Sequence, residues 1–333
     1  MGIRVGLIGL KGHQGTILNG VQAMDEARLV AVSDDDEQKL AGVSEWAAAD
    51  EETQTFADPA EMLDDVELDI LGVCGTDAQR APMILAAAER GIHVIAEKPL
   101  AMDLGELEQV RNAVESSGIH LSMLLTMRFE PPYITMRRMI SEGAIGEVCL
   151  ATMQKSYRLG SRPAWQCSRE TFSGIIPFIG IHALDLIRWV SGRDFVEGAA
   201  WCANVGHPEI GDLEDNASVA VQLDNSASAT ARMDYCRPAA APTHGDDRLR
   251  IAGNEGVIEW MLTSDEVTLI THDEEPRPVE LDERIDQFAN FVASIHGDEQ
   301  SWVPAEDCLR MTEVVLKLRE VANTGEVADL RQG

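Results

Sequence analysis

The stretch that decides the fold is residues 5–16, VGLIGLKGHQGT, in which an apolar run leads into three spaced glycines. The first half is continuously apolar, which is typical of a parallel strand buried on both faces. Gly9, Gly12 and Gly15 then form a G-x-x-G-x-x-G pattern, and residues 16–24 are predicted to form a helix. A strand, a glycine turn and a helix in this order indicate a dinucleotide site, because a helix N-terminus binds pyrophosphate well.

The turn departs from the usual dinucleotide fingerprint, which is G-x-G-x-x-G. Lys11 stands where the second glycine is expected, so Gly12 is interpreted as the residue that lets the backbone approach the pyrophosphate. His13 and Gln14 complete the turn, and together with Lys11 and the three glycines they are predicted to contact the cofactor. The alternative is a cofactor-free turn between a strand and a helix.

An acidic residue supports the first of these interpretations. Asp34 ends the next apolar run, RLVAVSD, and stands 19 residues after Gly15. A carboxylate at about this distance binds the adenosine ribose in dinucleotide-binding folds. Because residues 34–36 are all aspartate, they would repel a 2′-phosphate, and NAD is predicted rather than NADP.

The first third of the chain alternates between strand and helix patterns. Further strands are predicted within 52–58, 68–75 and 91–101, with a helix over 83–91 between the last two and a helix opened by Asp58-Pro59. Alternation of this kind predicts an α/β fold with a parallel sheet and helices on both of its faces.

The tripeptide Glu97-Lys98-Pro99 carries a family resemblance, together with VGLIG, VAVSD and the run AAAERGIHVIAEKPLA. With GAIGEV, SGIIPFIGIHALDLIRWVSG and RIAGNEGVIEW further on, the chain resembles the Gfo/Idh/MocA oxidoreductases over nearly its whole length. The resemblance implies a Rossmann domain, 1–122, and a second α/β domain, 123–333, with a large open, mostly antiparallel sheet. It also implies that this sheet joins subunits in a homodimer or homotetramer, and that helix 305–324 is able to pack back on the first domain.

Lys98 is the leading candidate for catalysis. It follows a predicted parallel strand at the edge where such sheets bind ligands, and it is one of five lysines beside 22 arginines. Lysine used where arginine is the norm indicates a need for a compact, titratable ammonium. Glu97 is interpreted as its supporting residue or as a cofactor contact, and the alternative for Lys98 is a surface lysine before a rigid turn.

A second candidate lies on the predicted helix 175–189. Phe178, His182 and Asp185 recur there at helical spacing, so they share one face with apolar residues. The resemblance implies that His182 takes part in proton transfer beside Lys98, with Asp185 supporting it. The family pattern G-x-x-x-D-x-G-x-H has an aspartate where this chain has Phe178. Taken alone, His182 also fits a hydrogen-bonded core histidine.

Further contacts are predicted for polar residues in both halves. Asp77 is interpreted as facing the cofactor ribose, while Arg80 replaces a histidine that the family often has. Arg128 either binds substrate or forms a plain salt bridge. Four more side chains are interpreted as a basic and aromatic substrate lining, with surface placement as the alternative: Lys155, Tyr157, Arg162 and Trp165. No metal site is predicted, because His182 and Asp185 have no further ligand at suitable spacing.

The charge of the chain excludes several classes of partner. Its formal net charge of -30 argues against nucleic acid and against an anionic membrane surface, both of which attract basic patches. Six scattered cysteines without a CxxC pair fit reduced thiols in a cytoplasm. An acidic, lysine-poor surface is suited to a salt-rich cell, and the alternative is an acidic protein from an arginine-rich genome.

The function predicted from these features is an NAD-dependent oxidoreductase acting on a small molecule. It would transfer a hydride between nicotinamide and a secondary alcohol or ketone of a sugar, polyol or cyclitol. Two alternatives remain open. One is an NAD-using enzyme that catalyses elimination or glycoside cleavage without net redox change, and the other is a cofactor-binding regulator without turnover.

Overall fold

Both predicted sheets are present in the computed structural model, which describes residues 2–332. The chain divides into two units: the first comprises residues up to Thr126 together with Asp286–Thr312, and the second comprises Met127–Ile285 and the residues from Glu313 onward. The boundary predicted at 122/123 therefore lies slightly early. In addition, the segment 286–312, assigned above to the second domain, belongs to the first unit.

The strands and helices of the first 126 residues alternate as the apolar runs predict. In chain order they are β1 (Ile3–Ile8), α1 (Gln14–Ala23), β2 (Ala27–Ser33), α2 (Glu37–Ala41), β3 (Gln54–Phe56), α3 (Pro59–Asp65), β4 (Ile70–Val73), α4 (Asp77–Glu89), β5 (His93–Ala96), α5 (Leu104–Ser117) and β6 (Leu121–Met123).

The remaining elements are mostly strands. They are α6 (Pro131–Ser141), β7 (Val148–Tyr157), α7 (Ile181–Ser191), β8 (Phe195–Ala203), β9 (Asn216–Leu223), β10 (Ser228–Asp234), β11 (Gly245–Gly253), β12 (Gly256–Met261), β13 (Glu266–Thr271), β14 (Arg277–Pro278), α8 (Gln287–His296), α9 (Ala305–Val321) and β15 (Ala328–Asp329). Of the helices between residues 2 and 332, none is long and apolar enough to cross a membrane.

The first sheet has six parallel strands in the order β3-β2-β1-β4-β5-β6, which confirms the predicted Rossmann architecture. The apolar strands lie under helices on both faces, so all four residues of β4 are buried. Local signals act as predicted: the Asp58 side chain accepts a hydrogen bond from Ala60 N at 2.8 Å to start α3. Gly91, with φ of +69°, follows the end of α4.

Helix α8 belongs to the first unit because it completes the apolar core of that unit. Phe288 and Phe291 are buried in the same cluster as Val5, Leu7 and other residues of β1 and β2. Gly20 of α1 makes close approach possible, since a Cβ at this position would overlap the side chain of Phe288. An amphipathic helix far along the chain thus covers one side of the parallel sheet.

The second sheet has nine strands in the order β14-β13-β12-β11-β7-β10-β9-β8-β15. All of its pairs are antiparallel except β10 with β7, which confirms the predicted large, mostly antiparallel sheet. Side chains along β9 and β10 alternate strictly between buried and exposed. Helix α7 packs against β7 and β10, so one face of the sheet is covered by helix.

The helix predicted over 175–189 begins differently. A single π-helical turn, Ile176–Gly180, precedes α7, and the α-helix itself starts at Ile181. Pro177 lies in the first turn and has no N–H to donate, which loosens the hydrogen-bond pattern there. π-turns of this kind occur frequently at functional sites.

Replacing Gly20 with alanine tests the packing of α8 on α1. The added methyl group must displace Phe288, and overpacking of this kind costs about 1–3 kcal/mol of the free energy of unfolding. Gly15→Ala is the matched control in the same helix, since nothing lies within 4 Å of a Cβ there. Urea unfolding of both variants measures the effect. Equal stability of Gly20→Ala and the unaltered chain would contradict this packing.

Candidate active site

Strand β1 ends at a glycine that the local backbone requires. Gly9 has φ of +82°, and a Cβ there would overlap the backbone of Gly75. Its N–H donates to the Ser33 carbonyl at 2.7 Å, and the N–H of Lys11 donates to the Cys74 carbonyl at 3.0 Å. The glycine turn is therefore fixed to the carboxyl ends of β2 and β4, the edge where open parallel sheets bind ligands.

The other two glycines of the turn differ in their surroundings. A Cβ at Gly12 would overlap the carboxylate of Glu97, whereas a Cβ at Gly15 would meet nothing within 4 Å. The space left by the missing side chain at Gly12 is thus filled by Glu97. This differs from the interpretation that Gly12 leaves room for pyrophosphate, and the open space lies at Gly15.

Glu97 is a buried carboxylate held by the turn. It is 1% exposed and accepts a hydrogen bond from the backbone N–H of His13, while its Oε1 lies 2.7 Å from His13 Nδ1. Oε2 accepts from the N–H of Lys98 at 3.2 Å. Burial by itself raises the pKa of Glu97, but the charges and hydrogen bonds of His13, Lys98 and Arg80 hold that pKa well below its ordinary value.

Asp34 braces the turn from the other side. Its Oδ2 accepts from the N–H of Leu10 at 2.6 Å and its Oδ1 accepts from the N–H of Asp36 at 2.9 Å. Lys11 Nζ lies 2.5 Å from Asp35 Oδ1, and this hydrogen bond lowers the pKa of Asp35. Since a carboxylate has about four acceptor positions, Asp34 retains capacity for a ribose hydroxyl.

Asp77, predicted to face the ribose, forms a buried ion pair instead. Its Oδ1 lies 2.8 Å from Arg80 Nη2, and both side chains are almost fully buried. Arg80 also donates to the carbonyls of Lys98, Pro99 and Gly75, the last two at 3.1 and 3.4 Å. The guanidinium therefore holds the backbone on which the Lys98 side chain is mounted.

The first turn of α1 fits an anionic group. The side chain of the N-cap residue, His13, makes no capping hydrogen bond, and no carboxylate lies in the first turn of the helix, so the dipole meets no negative charge from its own first residues. Gln14 Oε1 accepts from the N–H of Gly12 at 3.1 Å, and the space beside Gly15 is open. These features suit a dinucleotide pyrophosphate, with the positive helix end facing it.

In the second unit, Lys155 lies on β7 opposite Asp247 of β11. Its Nζ is 2.6 Å from Asp247 Oδ2, and its side chain is 1% exposed. Burial by itself lowers the pKa of Lys155, but Asp247 and Tyr157 outweigh it and raise that pKa above its ordinary value. Lys155 is therefore a buried cation fixed by a carboxylate rather than a surface charge.

The other predicted lining residues are anchored by rings and carbonyls. The Tyr157 ring stacks on His244 with 5.2 Å between centroids, and burial raises the pKa of its phenol. The Arg162 guanidinium lies 4.4 Å from the centre of the Tyr235 ring, and its Nε donates to the Leu159 carbonyl at 2.5 Å. Tyr157 is thus the last residue of β7, and Arg162 lies in the segment that follows it.

His182 and Asp185 lie on α7, as their spacing predicts, and both are buried. Both oxygens of the Asp185 carboxylate accept from Arg128, with Nε–Oδ2 at 2.9 Å. Arg128 is fully buried in this fork-shaped pair, which matches the salt-bridge alternative for that residue. The hydrogen bonds described for the Asp185 carboxylate are therefore those with Arg128.

Phe178 contacts two other aromatic rings. Trp165, in the short helical turn Ala164–Cys167, lies 5.9 Å from Phe178, and Phe172 lies 5.2 Å from it, centre to centre. Trp165 and Phe172 are 6.0 Å apart, and all three pairs meet edge to face. The predicted substrate residue Trp165 is thus part of an aromatic cluster that includes the residue replacing the family's aspartate.

Sequence reasoning missed the roles of Arg80 and Asp247. The signal for Arg80 was its position three residues after Asp77 on a helix, a spacing at which opposite charges pair. Asp247 gave no local signal, because its partner is 92 residues away. Among the residues that the structure describes, no group of three or more His, Cys, Asp or Glu side chains is arranged to hold a metal ion.

A change of Glu97 to glutamine tests the buried carboxylate. Because folding lowers its pKa from the ordinary 4.5, ionised Glu97 stabilises the folded chain above pH 4.5 and does so progressively less as pH falls below it. Below pH 4.5 the free energy of unfolding should therefore fall less steeply in Glu97→Gln than in the unaltered chain. The expected difference in slope is about 1.4 kcal/mol per pH unit.

Urea unfolding between pH 3 and pH 6 measures this slope. The matched control is Glu89→Gln, which changes an exposed carboxylate at the end of α4. Parallel curves for Glu97→Gln and the unaltered chain would contradict the assignment of Glu97 as an ionised, buried group.

Family models match both halves of the chain. Residues 3–124 match the model described as an oxidoreductase family with an NAD-binding Rossmann fold, and residues 133–259 match the GFO/IDH/MocA C-terminal domain. The first unit is accordingly an NAD-binding fold.

Relatives align over almost the full length. A Thermotoga maritima protein assigned as an oxidoreductase has a solved structure with TM-score 0.92 and 33% identity, covering 98% of this chain and 100% of that one. Myo-inositol 2-dehydrogenase of the same organism is 24% identical over 92% of each chain. A structure of levoglucosan dehydrogenase with NADH shares the fold, with TM-score 0.84 and 19% identity over 100% of both chains. The chain belongs to the Gfo/Idh/MocA oxidoreductase family.

Proposed function

We propose that this protein is an NAD-dependent dehydrogenase that oxidises a secondary alcohol of a sugar, polyol or cyclitol, or reduces the corresponding ketone. The observation that carries the proposal is the carboxyl edge of the first sheet. There an uncapped helix N-terminus, a glycine turn and a lysine held by a buried arginine occur together in an NAD-binding fold. Inositol and sugar dehydrogenases among the relatives support the substrate class.

The chemistry requires removal of two hydrogens from one carbinol. When bound, NAD⁺ supplies a nicotinamide that accepts the carbinol hydrogen as hydride, so that the alcohol becomes a ketone and NADH is formed. His182 takes the hydroxyl proton as general base. Lys98 stabilises the developing negative charge on the same oxygen with its ammonium. In the reverse direction His182 returns the proton.

The remaining predicted residues are assigned supporting roles. Asp34 binds the adenosine ribose with its unused acceptor positions, and the acidic run around it favours NAD over NADP. Lys155 and Tyr157 orient substrate hydroxyls from β7, with Asp247 fixing the Lys155 ammonium. Arg128 acts through Asp185, which it holds by a fork of two hydrogen bonds.

We also propose that the protein forms a homo-oligomer through the helix-free face of the nine-stranded sheet. This face carries a groove of about 550 Å³, lined by residues of β7 to β12 that include Trp201, Arg232 and Arg248. Trp201 is 52% exposed, which is unusual for a large aromatic side chain. A cytoplasmic location is proposed as well, since all six cysteines are free thiols.

Substitution of the two candidate catalytic residues tests the proposed reaction. Lys98→Met and His182→Asn should each lower kcat/KM by about 10²- to 10⁴-fold, because each removes a group that acts on the substrate oxygen. NAD⁺ binding should persist in both variants. NADH formation, followed by its absorbance with a panel of inositols and hexoses, measures turnover, and tryptophan fluorescence titration measures NAD⁺ binding.

Lys317→Met is the matched control, since this lysine pairs with Glu313 at 2.6 Å on the partly exposed face of α9. Full activity in either catalytic variant would refute the assigned role. Substrate consumption without net NADH formation would instead point to the non-redox alternative.

A charge at Trp201 tests the proposed oligomer. The unaltered chain, of 36.3 kDa, should elute with at least twice that mass in size-exclusion chromatography with light scattering. Trp201→Asp should shift it toward the monomer, because a buried unpaired carboxylate opposes association. Val205→Asp is the control, since Val205 is 78% exposed in the segment after β8. A monomeric unaltered chain would overturn the proposal.

A further inference from the structure

Phe178 stands out in the segment that leads into α7. Every other described residue from Phe172 to Ile187 is buried, and Phe178 alone keeps part of its surface exposed. It lies in the π-helical turn about one turn before His182. A large apolar side chain left partly exposed beside a proposed catalytic base is a candidate for contact with substrate.

The neighbouring rings make this exposed surface larger and more rigid. Trp165 is also only partly buried, and it meets Phe178 edge to face at 5.9 Å. Phe172 is fully buried and supports both rings from behind, at 6.0 and 5.2 Å. The cluster of Trp165, Phe172 and Phe178 therefore presents two partly exposed aromatic rings on a packed base.

Hydrogen bonds fix the backbone under each ring. Thr171 Oγ1 donates to the Trp165 carbonyl at 2.6 Å, and the N–H of Phe172 donates to the Ser168 carbonyl at 3.0 Å. The N–H of Phe178 donates to the Gly174 carbonyl at 2.9 Å. The aromatic surface is thus preorganised, so that less conformational entropy of the protein is lost when a molecule binds to it.

The chemistry of this surface differs from that of an aspartate at position 178. A carboxylate accepts a hydrogen bond from a hydroxyl, whereas a phenyl ring has no acceptor of comparable strength. Aromatic faces attract the weakly positive C–H groups of a ring and exclude water from them. A hydroxyl directed at Phe178 would lose its hydrogen bond to water without a replacement.

We propose that the aromatic cluster selects a sugar or cyclitol that presents a deoxygenated carbon or a continuous C–H face beside the reacting alcohol. Deoxy and anhydro sugars are the chemical classes that meet this description. The inference rests on the proposed function, because it assigns the substrate of the same site. It concerns binding alone, and the hydride and proton transfers remain those described above.

Matched substrate pairs test this selection. We would measure kcat/KM from NADH formation at saturating NAD⁺ for D-glucose, D-galactose and myo-inositol, each beside its monodeoxy analogues, and for levoglucosan beside D-glucose. The unaltered chain should prefer at least one deoxy or anhydro form over its parent by about tenfold or more. Apolar sites reject an added hydroxyl by factors up to about 10².

Two variants whose side chains have the same number of heavy atoms in the same branched arrangement separate polarity from loss of the ring. Phe178→Leu should lower kcat/KM for all substrates but keep the preference for the deoxygenated form. Phe178→Asn should lower that preference at least tenfold, since its amide can bond the hydroxyl. If Phe178→Asn does not fold, as judged by its urea unfolding curve, Phe178→Tyr is used instead, since it adds a polar group to the same ring. Phe178→Tyr should also lower the preference for the deoxygenated form.

The outcomes distinguish this inference from the proposed function. A preference of the unaltered chain for the fully hydroxylated parents, unchanged in the Asn and Tyr variants, would overturn the substrate assignment while leaving the dehydrogenase intact. NAD⁺ binding without NADH formation from any of these compounds would overturn the proposed function, and the substrate assignment with it.

Discussion

A buried carboxylate determines the arrangement of the glycine turn in the first unit. Glu97 is almost fully excluded from water, and an ion in such a place must be paired and hydrogen-bonded or it destabilises the fold by several kcal/mol. The backbone of His13 and the N–H of Lys98 meet this requirement. The turn after β1 and the end of β5 are consequently held together, and Gly12 is needed because Glu97 occupies the space of its side chain.

Other buried charged groups are likewise paired with an opposite charge and hydrogen-bonded. Arg80 pairs with Asp77 and also donates to the carbonyls on either side of the Lys98–Pro99 bond. The second unit contains a comparable pair in Arg128 and Asp185. In both cases a planar guanidinium supplies several donors at fixed angles, which suits a buried pair better than a single ammonium does.

The architecture could be predicted from the sequence, whereas most partners of the buried charged side chains could not. Continuous apolar runs predicted the parallel strands, and the spacing of Gly9, Gly15 and Asp34 predicted the nucleotide turn, because such patterns are local. The partner of a buried charge is not local: Lys155 and Asp247 meet only through the register of β7 and β11. The pair of Asp77 with Arg80 is the exception, because the two lie three residues apart on one helix and their pairing could have been predicted from that spacing.

The distribution of lysine adds a further argument about function. Two of the five lysines in the chain, Lys98 and Lys155, are 3% and 1% exposed, although burial of an ammonium is costly and lysine is normally a surface residue. The buried cations that form fixed ion pairs with a carboxylate at positions 80 and 128 are arginines. A buried lysine differs from these in being a compact charge that can release its proton. That difference is useful beside a reacting oxygen, and it gives no advantage in a purely structural ion pair.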